Sequence, residues 1–156
     1  MRILFTGGGS GGHFFPILAV TRELKRIAEE ERILDLDLFY MGPDDFGEKE
    51  LKSEGIVSIN LAGGKARRYF SLQNFLDLFK TATALWKATW NIFLIMHDVI
   101  FSKGGYVALP TIAAAAIFRI PLIIHESDAI PGKVSLFSAR FAKRVAIAFA
   151  HAADFF

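Results

Sequence analysis

Five glycines and a serine stand between an apolar run and a helical pattern. Ile3-Leu4-Phe5 is followed by Thr6-Gly7-Gly8-Gly9-Ser10-Gly11-Gly12-His13, and apolar residues then recur at helical spacing from about Phe15 to Glu30. Residues without a Cβ let the backbone turn sharply and let its N–H groups approach a ligand closely. A loop of this kind at the start of a helix faces an anion with both free amides and the positive end of the helix dipole, so a phosphate is the expected guest. A plain strand-to-helix turn explains one or two glycines, not five with a serine and a histidine.

The strand, loop and helix are the first unit of a repeating pattern. Strands are predicted at Leu36 to Met41, Ile56 to Leu61, Val99 to Ser102, Leu122 to His125 and Val145 to Phe149. Helices are predicted at Ser71 to about Met96, Pro110 to Phe118 and Gly132 to Ala142. Strands alternating with helices imply an α/β fold, a Rossmann-like doubly wound parallel sheet. At 156 residues the chain has the length of one domain, so residues 1–156 are expected to share one core.

In such a sheet the ligand crevice lies beyond the carboxyl ends of the strands. Three polar stretches fall there: Thr6 to His13, Ser102 to Tyr106, and His125 to Gly132. His13 belongs to the first helical turn, where the dipole disfavours an imidazolium and keeps a neutral ring ready to accept a proton. The alternative is a histidine that only hydrogen-bonds the loop. Glu126 reads either as a site carboxylate or as a strand-end ion-pair partner. Gly104 and Gly105 supply positive φ for a turn, and Tyr106 follows on the crevice rim.

Two nucleotide-binding readings fit less well. Gly7, Gly9 and Gly12 satisfy GxGxxG, as any glycine run would, and no Lys-Ser or Lys-Thr closes the loop as a P-loop requires. An NAD-type oxidoreductase domain places an acidic residue at the end of the second strand to hold the ribose. Here that strand ends Tyr40-Met41-Gly42-Pro43, with Asp44 and Asp45 only beyond it.

The motifs taken together resemble glycosyltransferase family 28, the peptidoglycan N-acetylglucosaminyltransferases. The resemblance is carried by Gly8 to His13 with Pro16 and Leu18-Ala19, by Lys103-Gly104-Gly105-Tyr106 with Pro110, and by His125-Glu126 with Ala129-Ile130-Pro131-Gly132. It implies the N-terminal, acceptor-binding half of a GT-B enzyme that transfers GlcNAc with inversion from UDP-GlcNAc to lipid I, giving lipid II. It places the enzyme at the cytoplasmic face of the plasma membrane as a peripheral protein. By motif position Ser10, Gly11, Gly12 and their neighbours bind the acceptor's diphosphate, His13 is the candidate base, and Tyr106, His125 and Glu126 line the cleft, Glu126 with a catalytic role. Asp128 and Ser135 stand where the family usually has Asn, and both are counted among the acceptor contacts. The donor is expected on a C-terminal domain that these residues do not include. The residues demand no metal or cofactor.

Composition adds a membrane clue. Apolar residues make up 53% of the chain and Phe alone numbers 16, more than a core of this size requires. There is no cysteine, hence no disulfide framework. Lys80, Lys87, Asn91 and His97 break the greasiest region, so contact with a bilayer is peripheral. On the helix from Ser71 to Met96, Gln73, Asp77, Lys80, Lys87 and Asn91 share one stripe, and the apolar arc opposite covers roughly 200°, about twice what sheet packing needs. One part of that arc packs on the sheet. The other, with Phe79, Trp86 and Trp90 flanked by Arg67, Arg68 and Lys80, suits an anionic membrane surface, or else a neighbouring helix or subunit. The formal charge of +2 gives no reason to expect a nucleic-acid partner. The remaining competitor is a non-catalytic lipid-diphosphate-binding subunit of a split glycosyltransferase.

Overall fold

The computed structural model describes residues 1–8, 10–43, 47–61 and 72–156, with side chains of 72–80 outside the description. Six strands, β1 (Arg2–Thr6), β2 (Asp37–Gly42), β3 (Val57–Asn60), β4 (Val99–Ser102), β5 (Leu122–Glu126) and β6 (Arg144–Ile147), form one parallel sheet in the order β3-β2-β1-β4-β5-β6. The order reverses between β1 and β4, which is where a doubly wound sheet opens its ligand crevice.

Five helices connect the strands: α1 (Gly11–Glu30), α2 (Glu48–Ser53), α3 (Leu72–Ile95), α4 (Leu109–Phe118) and α5 (Lys133–Ala139). Two short 3₁₀ turns, Tyr106–Ala108 and Ala150–Phe155, complete the described elements. Strand side chains alternate between faces, so each face has its own core. Ile3, Phe5, Leu38 and Tyr40 pack with Phe14, Ile17 and Leu18 of α1 and Leu51 of α2. Leu4, Met41, Ile100, Leu122 and Ile124 pack with Ala84, Ala88 and Ile92 of α3 and Ile112, Ala114 and Ala115 of α4. Right-handed crossovers require this division, because α1 and α2 carry the chain one way across the sheet and α3, α4 and α5 carry it back.

The element boundaries differ from the sequence expectation in informative places. Helix α1 starts at Gly11, four residues before the first strongly helical residue, because tertiary context overrides the poor helix propensity of two glycines. Helix α2, Glu-Lys-Glu-Leu-Lys-Ser, was not expected. It is one and a half turns of polar sequence that buries only Leu51, too short to show a period. Strand β6 ends at Ile147, and the residues after it turn into 3₁₀ geometry.

Candidate functional site

The loops after β1, β4 and β5 meet at the carboxyl edge of the sheet. Close packing between the first two explains their glycines. Gly8 has φ +147°, and a Cβ there would meet the Tyr40 hydroxyl at 2.7 Å. Gly105 has φ +84°, and its Cβ would stand 3.2 Å from the Gly8 carbonyl oxygen. The first loop is also pinned from below, since the Tyr40 hydroxyl donates to the Gly7 carbonyl at 2.5 Å.

His13 is positioned by both loops. Ser10 is the N-cap of α1, with φ −160° and ψ 160°, and its carbonyl accepts from the His13 and Phe14 amides at 3.1 and 3.2 Å. Its hydroxyl makes no capping bond, and the Gly11 and Gly12 amides that open the helix have no intrahelical acceptor, as at any helix start. The His13 ring lies with Nδ1 3.3 Å from the Lys103 carbonyl oxygen. A carbonyl can only accept, so in the neutral ring the proton sits on Nδ1 and the lone pair on Nε2. That is the tautomer a general base at this position needs.

Glu126, at the end of β5, is 5% exposed and organises the third loop. Its carboxylate accepts from the Asp128 amide at 3.0 Å and the Gly132 amide at 3.3 Å. Burial by itself would raise this carboxyl. The Ser135 hydroxyl, the two amides and the nearby Lys103 charge outweigh it and hold the group below the ordinary carboxylate range. Glu126 is therefore an anion at neutral pH whose oxygens already anchor the turn from 126 to 135.

His13, Lys103, Gly105, Glu126, Asp128, Gly132, Lys133, Val134 and Ser135 line a cleft of about 240 Å³. Of the residues singled out in the sequence, His13, Glu126, Asp128 and Ser135 come together here, with Ser10, Gly11 and Gly12 at the start of the helix that carries His13. His125 and Tyr106 are not among the residues lining the cleft. Alternation along β5 turns the His125 ring to the opposite face from Glu126, where it stacks on Phe101 at 6.2 Å and leaves Nδ1 buried with no partner among the described residues. Burial first, then the Lys103 charge, depress its basicity, offset in part by Glu126. Tyr106 opens the 3₁₀ turn and is half-buried. Lys103 was noted only as part of the turn from Lys103 to Tyr106 on the crevice rim, without a role of its own; it is 2% exposed and reaches the cleft, its Nζ donating to the Ser127 hydroxyl at 2.9 Å.

On the outside of the helix layer, α3 turns Ala84, Ala88 and Ile92 to the sheet and leaves Trp86, Trp90, Phe93 and Leu94 exposed. Trp86 is 68% and Trp90 50% exposed, and their rings stack at 6.2 Å. Trp90 meets Phe93, and Phe93 meets Phe118 at the end of α4. Arg119 follows Phe118 and shares a second cleft, of about 390 Å³, with Arg140 and Lys143. Arg67 and Arg68 lie outside the described residues, as does the side chain of Phe79. Among the described residues, no helix is long and apolar enough to cross a membrane.

Comparison with known proteins agrees with this architecture. The model of the glycosyltransferase family 28 N-terminal domain matches residues 3–147. A UDP-N-acetylglucosamine--N-acetylmuramyl-(pentapeptide) pyrophosphoryl-undecaprenol N-acetylglucosamine transferase from Borrelia hermsii is 36% identical, over 99% of this chain and 42% of the relative. A transferase of the same name, numbered 2, from Bacillus cereus is 38% identical over 97% of this chain and 42% of its own length. The crystal structure of MurG from Acinetobacter baumannii superposes with a TM-score of 0.77 at 27% identity, over 96% of this chain and 42% of that one. The Streptomyces glycosyltransferase SsfS6 shares the fold alone, with a TM-score of 0.56 at 13% identity. The chain thus spans less than half the length of these relatives.

Proposed function

The chain belongs to the glycosyltransferase family 28 N-terminal domains, and from that membership we propose that it is the acceptor-binding half of an inverting N-acetylglucosaminyltransferase. Its acceptor is the undecaprenyl-diphosphate-linked muramyl sugar, lipid I, and its product with a donor-binding domain is lipid II. The donor, UDP-GlcNAc, is held by that second domain. The observation that carries the reading is the cleft itself. It is lined by His13, which directly follows the glycine-rich helix start and whose Nδ1 is engaged by the Lys103 carbonyl, leaving Nε2 as the basic nitrogen.

In this reading Ser10, Gly11 and Gly12 present amides and a hydroxyl to the acceptor's diphosphate. His13 Nε2 takes the proton from the acceptor hydroxyl as that oxygen attacks the anomeric carbon of GlcNAc and the bond to UDP breaks. Glu126 keeps the 126–135 turn in place through Asp128, Gly132 and Ser135, so that the cleft is formed before substrate enters. An NAD-type dehydrogenase would need a ribose-binding carboxylate at the end of β2, and that strand closes on Met41 and Gly42.

The aromatic face of α3 extends the proposal to location. Exposed stacked tryptophans beside Phe93 and Phe118 suit the headgroup boundary of a bilayer, and the Arg119, Arg140 and Lys143 cleft next to them suits its anionic surface. Binding there brings the cleft to a lipid-borne acceptor at the cytoplasmic leaflet.

The test is His13→Ala in this chain joined to a donor-binding domain. Transfer falls by about 10²–10⁴-fold, the range for losing a general base, while affinity for an acceptor analogue stays nearly the same. Undiminished transfer would remove His13 from that role.

A further inference from the structure

Lys103 is a lysine only 2% exposed in the wall of the cleft, and among the described residues no opposite charge meets it at close range. Among the described residues its ammonium donates to one neutral partner, the Ser127 hydroxyl at 2.9 Å, and no carboxylate lies within ion-pair distance of it. The adjacent anion, Glu126, is engaged elsewhere: its oxygens face the Asp128 and Gly132 amides and the Ser135 hydroxyl. A buried ammonium is retained against its desolvation only when a full set of partners, or an opposite charge, meets it. Among the described residues its ammonium has one acceptor, so up to two of its three donors are open to another.

The backbone that carries it is held on both sides. The Lys103 amide donates to the Thr6 carbonyl at 2.9 Å, its own carbonyl receives His13 Nδ1, and a Cβ on Gly7 would stand 3.0 Å from the Lys103 Cβ. The side chain is thereby led from the β4 end, past the glycine loop, to the same cleft that His13 and Ser135 line. The glycine loop offers amides, but no cation of its own, since residues 6–13 contain no Lys or Arg.

Building on the acceptor-site reading, we propose that Lys103 is a substrate-binding residue, the fixed cation that receives a diphosphate entering the cleft between the glycine loop and the 126–135 turn. A diphosphate diester reaches such a site from two sources, a prenyl-diphosphate sugar or a nucleoside-diphosphate sugar. The position of Lys103 against His13, on the face where the acceptor hydroxyl must be deprotonated, favours the first.

The experiment is calorimetric titration of the chain with three probes: inorganic pyrophosphate, a soluble short-prenyl diphosphate sugar, and UDP-GlcNAc. Wild type is compared with Lys103→Met and with Ser127→Asp, the second placing a carboxylate on the ammonium without touching Lys103. Thermal unfolding is followed in parallel. Both variants are expected to bind pyrophosphate and the prenyl diphosphate sugar about tenfold to a hundredfold more weakly, the range of a lost charge-assisted hydrogen bond, with the unfolding temperature unchanged or raised. Wild-type affinity retained in both variants overturns the role of Lys103 and leaves the acceptor reading standing. Wild type that binds no diphosphate overturns both. Loss confined to UDP-GlcNAc refutes the assignment to the acceptor.

Discussion

His97 makes acid stability a quantitative test of how the sheet and α3 are packed. The residue joins α3 to β4, is 4% exposed, and sets its ring edge-on to Phe39 with centroids 5.0 Å apart. Among the described residues neither ring nitrogen has a hydrogen-bond partner. Burial, and secondarily the Arg2 guanidinium, push the imidazole down to about 4 from an ordinary 6.5, against a smaller opposing effect of Asp98. The folded state thus favours the neutral ring. Its contribution is complete above pH 6.5 and is lost as pH falls from 6.5 towards 4, because the unfolded chain takes up the proton first. Between pH 7.5 and pH 5 the loss is about 2 kcal/mol, and it approaches about 3 kcal/mol below pH 4, at 1.36 kcal/mol for each tenfold difference in proton affinity. Urea unfolding at pH 7.5 and pH 5.0 for wild type and His97→Phe measures it. The phenyl ring fills the same space and cannot charge, so the variant loses about 2 kcal/mol less than wild type over that interval. Equal losses in the two proteins would refute the reasoning and show that the His97 ring is solvated or paired.

Three further outcomes follow from the geometry. Gly105→Ala forces a side chain into φ +84° and towards the Gly8 carbonyl, and is expected to cost about 1–3 kcal/mol in denaturant unfolding, with weaker acceptor-analogue binding. Glu126→Ala leaves the Asp128 and Gly132 amides without their acceptor and should cost about 1–3 kcal/mol and lower acceptor affinity at neutral pH, whereas a loss of activity with full binding and full stability would point to proton transfer instead. The double variant Trp86→Ser, Trp90→Ser removes exposed rings, so thermal unfolding should hardly move while co-sedimentation with anionic liposomes falls; unchanged co-sedimentation at low and high salt would exclude this face as the membrane contact.

The fold was legible in the sequence because each strand is short, apolar and followed by a helical period, and such a chain winds only one way. That the glycine loop, His13 and Glu126 would meet at one edge of the sheet was legible, because each follows directly on a strand end. The turn carrying Lys103 was legible, but its burial was not, since it depends on neighbours such as Gly7, which is close in space and 96 residues away in sequence. The His125 assignment came from motif position. The period of two along β5 already placed it on the face opposite Glu126, and that signal was available in the sequence. The helical wheel of α3 indicated an apolar face beyond the sheet contact, and Trp86 and Trp90 are exposed there. It did not show that the sheet side would be a narrow stripe of Ala84, Ala88 and Ile92, which depends on how closely α4 approaches. The aromatic arc ahead of it, with Arg67, Arg68 and Phe79, lies outside the described residues.

The central claim is that this cleft receives a lipid-linked diphosphate acceptor and not the nucleotide sugar. Calorimetric titration of the purified chain with a soluble lipid I analogue, and separately with UDP-GlcNAc, tests it most directly. The account predicts saturable binding of the lipid I analogue and none of UDP-GlcNAc. Binding of UDP-GlcNAc alone, or of NAD in its place, would contradict it.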